Sequence, residues 1–318
     1  MRLLALLATA GWILSPAQGS PGVTTIIYPN FSSVAGLNLV NSAAVATGYA
    51  GQQVLRLTPA LIGQGGAAWS TTPISFSSSA GTFSTYFQFQ ITNPGGISPA
   101  DGIVFVLQTV SSGSGGAGGS IGYGGITPSV GVEFDTFDNG ISPGAFNDPN
   151  DNHVGVDIDG SMVSVALATP GGVANCGSPV GVANCMSNGD VWSVWIDYDG
   201  TNLVVAAADN STTRPATNLI SYAINIPCVL AGGTAAGTGC PTPATMAYVG
   251  FTAGTGSGYE NQDIVDWQYT NTYAPIPGGG GPTPTPVPTS LFLAIIGLGV
   301  AAAFQARRKL ASLLRGGL

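Results

Sequence analysis

Over much of its length the chain places an apolar side chain at every second position. Phe83, Thr85, Phe87, Phe89 and Ile91 alternate with Ser84, Tyr86, Gln88 and Gln90. Val130, Val132 and Phe134 repeat the pattern, as do Val154, Val156 and Ile158, then Val163, Val165 and Leu167, then Trp192, Val194, Ile196 and Tyr198. A period of two puts successive side chains on opposite faces and marks half-buried strands. Ile103 to Leu107 is an unbroken apolar run, as expected of a strand buried on both faces. Leu203, Val205 and Ala207 follow an Asp199-Gly200 turn signal, which predicts a hairpin. Many short strands broken by turns make an all-β sandwich or barrel, and no amphipathic helix competes with them.

Composition agrees. Charged residues are 7% of the 318 positions, while glycine occupies 48 and proline 22. All fifteen acids lie between Asp101 and Asp266, and only Arg56 and Arg214 share the central region of the chain with them, leaving thirteen net negative charges there. Such a body repels nucleic acid and favours cations. Four cysteines, Cys176, Cys185, Cys228 and Cys240, permit three pairings. Proximity favours Cys176–Cys185 and Cys228–Cys240. A zinc site is disfavoured because no Cys-x-x-Cys pair exists.

The two ends read as export and anchoring signals. Arg2, the apolar stretch Leu3 to Leu14, and the small residues Ser15 and Ala17 suggest a signal peptide over residues 1–19. One domain is expected over 20–275, since no composition shift divides it. A Gly- then Pro-rich linker occupies 276–288, a short hydrophobic segment 289–306 and a basic tail 307–318. The run Leu291 to Phe304 is short beside the ~20 residues of a full span. Arg307, Arg308 and Lys309 would stay on the cytoplasmic side. This layout resembles the bacterial sorting tails called PEP-CTERM, although Val287-Pro288-Thr289-Ser290 stands where Pro-Glu-Pro would be. The expected product is exported, at the cell surface or outside the cell, with contact to a membrane through its C-terminal segment.

The densest chemistry is Val132-Glu133-Phe134-Asp135-Thr136-Phe137-Asp138-Asn139, followed by Asn147-Asp148-Pro149 and Asn152-His153-Val154-Gly155-Val156. On one strand Glu133, Asp135 and Phe137 share a face, opposite Val132 and Phe134. Adjacent carboxylates without a nearby base are costly unless a cation or proton compensates. Asp148 and the single histidine, His153, can fold back to that face. Carboxylates, an amide and a backbone carbonyl suit calcium. An imidazole with shared carboxylates suits a transition metal such as manganese.

This segment resembles the metal-binding stretch of legume-type (L-type) lectins: Glu-Phe-Asp-Thr-Phe-x-Asn, then Asp-Pro, then His-x-Gly. The likeness is collinear over roughly Thr24 to Thr272. Pro29 to Ser33 looks like the opening strand, and Val54 to Thr58 the second. Thr72-Pro73-Ile74 and Phe83-Ser84-Thr85 fit next. Ala100-Asp101-Gly102, the Gly-rich Gly118 to Gly122, and Tyr248 to Trp267 complete it. The resemblance implies a two-sheet antiparallel jelly-roll sandwich of the concanavalin A-like, legume lectin type. It implies Ca2+ at Asp135, the Phe137 carbonyl, Asn139 and Asp148. It implies Mn2+ or another transition metal at Glu133, Asp135, Asp148 and His153. Asp101, the Gly119 N–H and Asn139 would hydrogen-bond a sugar, Phe137 would stack beneath it, and Ser257 and Gly258 would lie on the specificity loop. The Ala100–Asp101 peptide would be cis.

The expected function is therefore metal-dependent binding of glycans or exopolysaccharide, without catalysis and with homo-oligomerisation left open. Two alternatives differ in class. Some β-glucan hydrolases carry Glu-x-Asp-x-x-Glu, and Glu133-x-Asp135-x-x-Asp138 approaches it. But the third acid is Asp and would point away on a regular strand. A structural matrix protein that has lost sugar binding is the other alternative; retention of Asp101, Gly119 and Asn139 argues against it. With its only histidine engaged, the chain has no Ser-His-Asp triad.

Overall fold

The computed structural model describes residues 23–48, 51–76, 78–110, 113, 115–141 and 146–278. The expected signal peptide, hydrophobic segment and basic tail lie outside them, as does most of the linker. The described strands are β1 (Thr25–Tyr28), β2 (Leu37–Asn41), β3 (Ala44–Thr47), β4 (Gln53–Thr58), β5 (Gly65–Ser70), β6 (Ile74–Ser75), β7 (Phe83–Gly96) and β8 (Gly102–Gln108). They continue with β9 (Ser129–Asp135), β10 (His153–Ile158), β11 (Ala166–Ala168), β12 (Val191–Tyr198), β13 (Asn202–Asp209), β14 (Ile220–Ala223), β15 (Met246–Gly254) and β16 (Gly258–Thr270). The α-helix among the described residues is the four-residue Ile226–Val229.

Two antiparallel sheets result. One runs β14-β13-β12-β7-β16-β4-β3, with β1 also paired to β16; the other runs β11-β10-β9-β8-β15-β5-β2, with β6 on β15. The period-two side chains meet between them. Phe87 touches Phe251 edge-on at 5.0 Å between centroids and Phe134 at 5.8 Å, and Phe251 meets Trp267 at 4.9 Å. Quadrupolar rings prefer such edge contacts. β8 is buried along its whole length, as its apolar run predicts. Its second face is covered by Ile121, Tyr123 and Met162, which form a smaller core on the outer side of that sheet. Asp199 and Gly200 make the expected turn between β12 and β13, the Asp199 carboxylate accepting from Thr201 and Asn202 N–H at 2.8 Å.

Three sequence expectations are corrected. The opening strand is Thr25–Tyr28, not Pro29 to Ser33. Pro29 brings no N–H to a ladder, and Asn30 Oδ1 accepts from Ser32 N–H to bend the chain. Val163, Val165 and Leu167 do not face the core; all three are exposed. Pairing of Leu167 with Gly155, and of Ala166 and Ala168 with Val156 and Val154, points the alanines inward instead. A register shift of one residue exchanges the faces. Finally, β9 ends at Asp135, so Phe137 belongs to the loop beyond it. Both disulfides join the neighbouring cysteines, Cys176–Cys185 and Cys228–Cys240.

Candidate functional site

The site begins on β9. Val130, Val132 and Phe134 enter the core, so Glu133 and Asp135 turn to the outer side of the sheet. Register then brings their neighbours: Asp135 lies opposite His153 on β10 and Gly102 on β8, and Glu133 lies opposite Gly155. Gly155 makes room for the Glu133 carboxylate, since a Cβ there would sit 2.4 Å from Oε1. Glu133, Asp135 and His153 present ligand atoms within 4.8 Å of one another, each side chain about 1% exposed.

His153 Nδ1 lies 2.9 Å from the Asn150 carbonyl. A carbonyl only accepts, so Nδ1 carries a proton, and Nε2 is the ring atom that faces the carboxylates, with a lone pair to offer whenever the ring is neutral. Nε2 is 3.4 Å from Glu133 Oε1 and 3.9 Å from Asp148 Oδ1. These spacings are loose for hydrogen bonds and fall between the ~3 Å of ligands at right angles and the ~4.2 Å of opposite ligands around an ion ~2.1 Å away. Asp148 reaches the cluster from the loop after β9. Asn139 N–H donates to Asp148 Oδ2 and Phe137 N–H to Asp135 Oδ1, both at 2.7 Å. Those two bonds fold the loop so that Asp135, Phe137, Asn139 and Asp148 adjoin.

The electrostatics ask for positive charge. Burial, then the charges of Glu133 and Asp148, push Asp135 well above the usual carboxylate range. Burial raises Asp148 to about 6. Burial alone would lower His153, but Glu133 outweighs it and holds the imidazole above its ordinary value. Both described arginines are engaged elsewhere, Arg56 with Asp263 and Arg214 with Asp197. The donor set of carboxylates, imidazole, amide and carbonyl fits cations of the calcium and manganese classes, and the buried, unpartnered Asn139 Oδ1 adds an oxygen ligand for one.

A second group adjoins the first. The Ala100–Asp101 peptide is cis. Asp101 N–H donates to Gly254 O, and Asp101 O accepts from Thr136 N–H, both at 3.0 Å, which ties this turn to the end of β9. Burial raises the Asp101 carboxyl to about 7 against a bond from Gly256 N–H, and its Oδ2 is buried with no partner. Gly119 packs on Asn139: a Cβ at Gly119 would stand 2.7 Å from both amide atoms of that side chain. Asp101, Gly119 and Asn139 thus converge. Phe137 is half-buried and Ser257 exposed, while Gly258 is buried beneath Ser98 and Ala100. Asp138 is exposed and accepts from Gly140 N–H at 2.7 Å, so the hydrolase pattern lacks a third carboxylate on the face of Glu133.

The sequence profile described as the legume lectin domain matches residues 24–279. The chain belongs to the legume lectin family. It is 29% identical over 266 residues to a probable L-type lectin-domain containing receptor kinase VII.2 of Arabidopsis thaliana, covering 80% of this chain and 36% of that protein. The chain therefore spans about a third of the length of that relative. It is 27% identical over 276 residues to the lectin alpha chain of Lablab purpureus, covering 81% of this chain and 85% of that one. Among solved structures, basic winged bean lectin superposes with a TM-score of 0.59 at 24% identity, over 78% of this chain and 98% of the other. Winged bean acidic lectin does so with a TM-score of 0.57 at 27% identity, over the same shares. These relatives are plant proteins.

Several contributors escaped sequence reading. Asp157 is buried beside Glu133, and Ser164 Oγ bridges the two, 2.5 Å from Glu133 Oε1 and 2.7 Å from Asp157 Oδ1, its single proton serving one of these contacts. Asp157 was visible as the next outward position on β10 after Gly155. Ser164 was not, because it lies in a loop. Gly256 and the fully buried Glu260 left no local signal at all.

Proposed function

We propose that this protein binds carbohydrate through a metal-organised site and does not turn its ligand over. One observation carries the reading: Asn139 belongs to both groups. Its backbone holds Asp148 of the acidic cluster, while its side chain lies against Gly119 beside Asp101. In this reading Ca2+ is held by Asp135, the Phe137 carbonyl, Asn139 and Asp148. Mn2+ or another transition metal is held by Glu133, Asp135, Asp148 and His153. Bound ions supply the positive charge that fixes these carboxylates in place. The chain does the rest: Asp101 accepts from sugar hydroxyls, Gly119 N–H and the Asn139 amide donate to them, and Phe137 covers the apolar face of the ring. Ser257 sits at the edge of the specificity loop, while Gly258 supports that loop from beneath Ala100. Such fixed geometry lowers the ordering cost of binding.

Winged bean acidic lectin is described in complex with methyl-α-D-galactose and the Bauhinia forficata lectin with GalNAc, so galactosides are the first probes to try. Two substitutions test the reading. Asp101→Ala should abolish binding of a galactoside probe and leave the metal content unchanged. Asp148→Ala should lose both. Retained binding in Asp101→Ala would overturn the assignment.

We further infer export and surface anchoring from the ends of the chain, residues 1–19 and 289–318, which lie outside the described residues; no helix among the described ones is long and apolar enough to cross a membrane. Deleting 289–318 should move the protein from cells to the medium. Unchanged cell association would refute the anchor.

A further inference from the structure

Asp148 and His153 are joined by Pro149, Asn150, Asp151 and Asn152, which belong to no strand. The side chains of this connection reach across to residues 169–186. Asn150 Nδ2 donates to Thr169 Oγ1 at 3.0 Å, and Asp151 Oδ1 accepts from Cys176 N–H at 2.8 Å. Asn152 is fully buried and uses its whole amide. Its Nδ2 donates to Val173 O and to Asn184 O, both at 2.8 Å, and its Oδ1 accepts from Met186 N–H at 2.9 Å.

Those three partners flank the Cys176–Cys185 disulfide. Val173 stands before the first cysteine, and Asn184 and Met186 stand on either side of the second. Asn152 therefore spans the neck of the loop, and the disulfide keeps the two arms within reach of one amide. Packing does little to hold the loop itself. Val180 is 77% exposed and Val182 40%, and Gly177 and Gly181 are exposed as well. A covalent closure spares the neck the entropy cost of bringing such a loop's ends together. Order at the neck is passed to the imidazole. Asn152 N–H donates to Asn150 Oδ1 at 2.9 Å, and Asn150 O accepts from His153 Nδ1 at 2.9 Å. The second arm continues to Ser187, whose Oγ donates at 2.7 Å to Glu260.

We propose that the Cys176–Cys185 loop is the outer brace of the metal site and that Asn152 is its positioning residue, holding the His153 ring toward Glu133 and Asp148. The proposal rests on the metal reading of that cluster. Asn152 touches no ion; it acts through Asn150 and His153. Affinity for the transition metal therefore depends on this disulfide and not on Cys228–Cys240, which closes a loop elsewhere in the chain.

Mn2+ calorimetry tests it on four metal-free proteins: the parent, Asn152→Ala, Cys176→Ser with Cys185→Ser, and Cys228→Ser with Cys240→Ser. Removing a group that orients a metal ligand lowers affinity about 10- to 100-fold. Asn152→Ala and the first cysteine pair should each lose at least tenfold in Mn2+ affinity, and the second pair should match the parent. At saturating Co2+ the absorption spectrum of Asn152→Ala should move toward that of His153→Ala, a change that lost stability alone does not produce. Unchanged affinity in the brace variants, an equal loss in the second cysteine pair, or an unmoved spectrum overturns the brace alone. A parent that binds no Mn2+ overturns the metal reading and the brace with it. If the brace variants fail to fold, hydrogen exchange on the unaltered protein decides. Coupling is reciprocal, so Mn2+ should slow exchange at Cys176 and Met186 N–H at least tenfold more than at Cys228 N–H. Equal slowing at all three overturns the proposal.

Discussion

Glu260→Gln is the substitution whose effect the structure fixes most closely. Glu260 is fully buried on β16. Its carboxylate accepts from Thr136 Oγ1 at 2.6 Å, from Ser187 Oγ at 2.7 Å and from Gln262 Nε2 at 3.4 Å. Gln262 Nε2 also donates to Ala100 O at 3.3 Å and Gly254 O at 3.1 Å, and Thr136 N–H holds Asp101 O. The acid therefore sits beneath the turn that presents Asp101. Burial raises its pKa from 4.5 to about 7, against these hydrogen bonds. Between those two values the folded protein keeps a proton that the unfolded chain has lost. The group's contribution is then complete below pH 4.5 and declines as pH rises through 7, by on the order of 3 kcal/mol. Glutamine stays neutral throughout. One hydroxyl can donate to its oxygen while the other accepts from its nitrogen. The variant should match the parent, or fall about 1 kcal/mol below it, near pH 4.5. By pH 8 it should be roughly 2 kcal/mol the more stable. Urea unfolding of both proteins from pH 4.5 to 8, with saturating Ca2+ and Mn2+, measures this difference. A difference that stays constant with pH would refute the argument.

Two further outcomes follow from the core and the tail. Phe87→Ala leaves a hole where Phe105, Phe134 and Phe251 meet. It should cost about 3–5 kcal/mol, seen as a lower urea midpoint at unchanged slope; a loss under 1 kcal/mol would mean that the two sheets close over the gap. Fractionation of cells expressing the chain without residues 289–318 checks the anchor, with release to the medium as the expected result.

How much of this could be read from the sequence depends on how local the determining contacts are. Glu133, Asp135, Asp148 and His153 lie within one strand, one loop and the start of the next strand, so spacing and side-chain alternation alone suggested a common face. The phase of β11 could not be read that way. Val163, Val165 and Leu167 show the apolar period of a core-facing strand, yet pairing with β10 sets the opposite register. Ile103 to Leu107 was legible as buried on both faces, but the residues that cover its outer side, Ile121 and Tyr123, come from an irregular loop. Glu260 was illegible for another reason. Its partners Thr136 and Ser187 are 124 and 73 positions away, and only the meeting of β16 with the end of β9 makes a buried acid tolerable there.

The central claim is that the acidic cluster and the sugar contacts are one device joined through Asn139. Calorimetry with methyl α-D-galactoside, or with whichever methyl glycoside binds, measured before and after removal of metal by a chelator, tests it most directly. Without cations Glu133, Asp135 and Asp148 repel one another or take up protons, the loop bearing Asn139 loses its hold on Asp148, and the Asp101–Gly119–Asn139 geometry relaxes. The account predicts that affinity drops at least a hundredfold on chelation and returns when Ca2+ and Mn2+ are restored. Equal affinity in both states would contradict it.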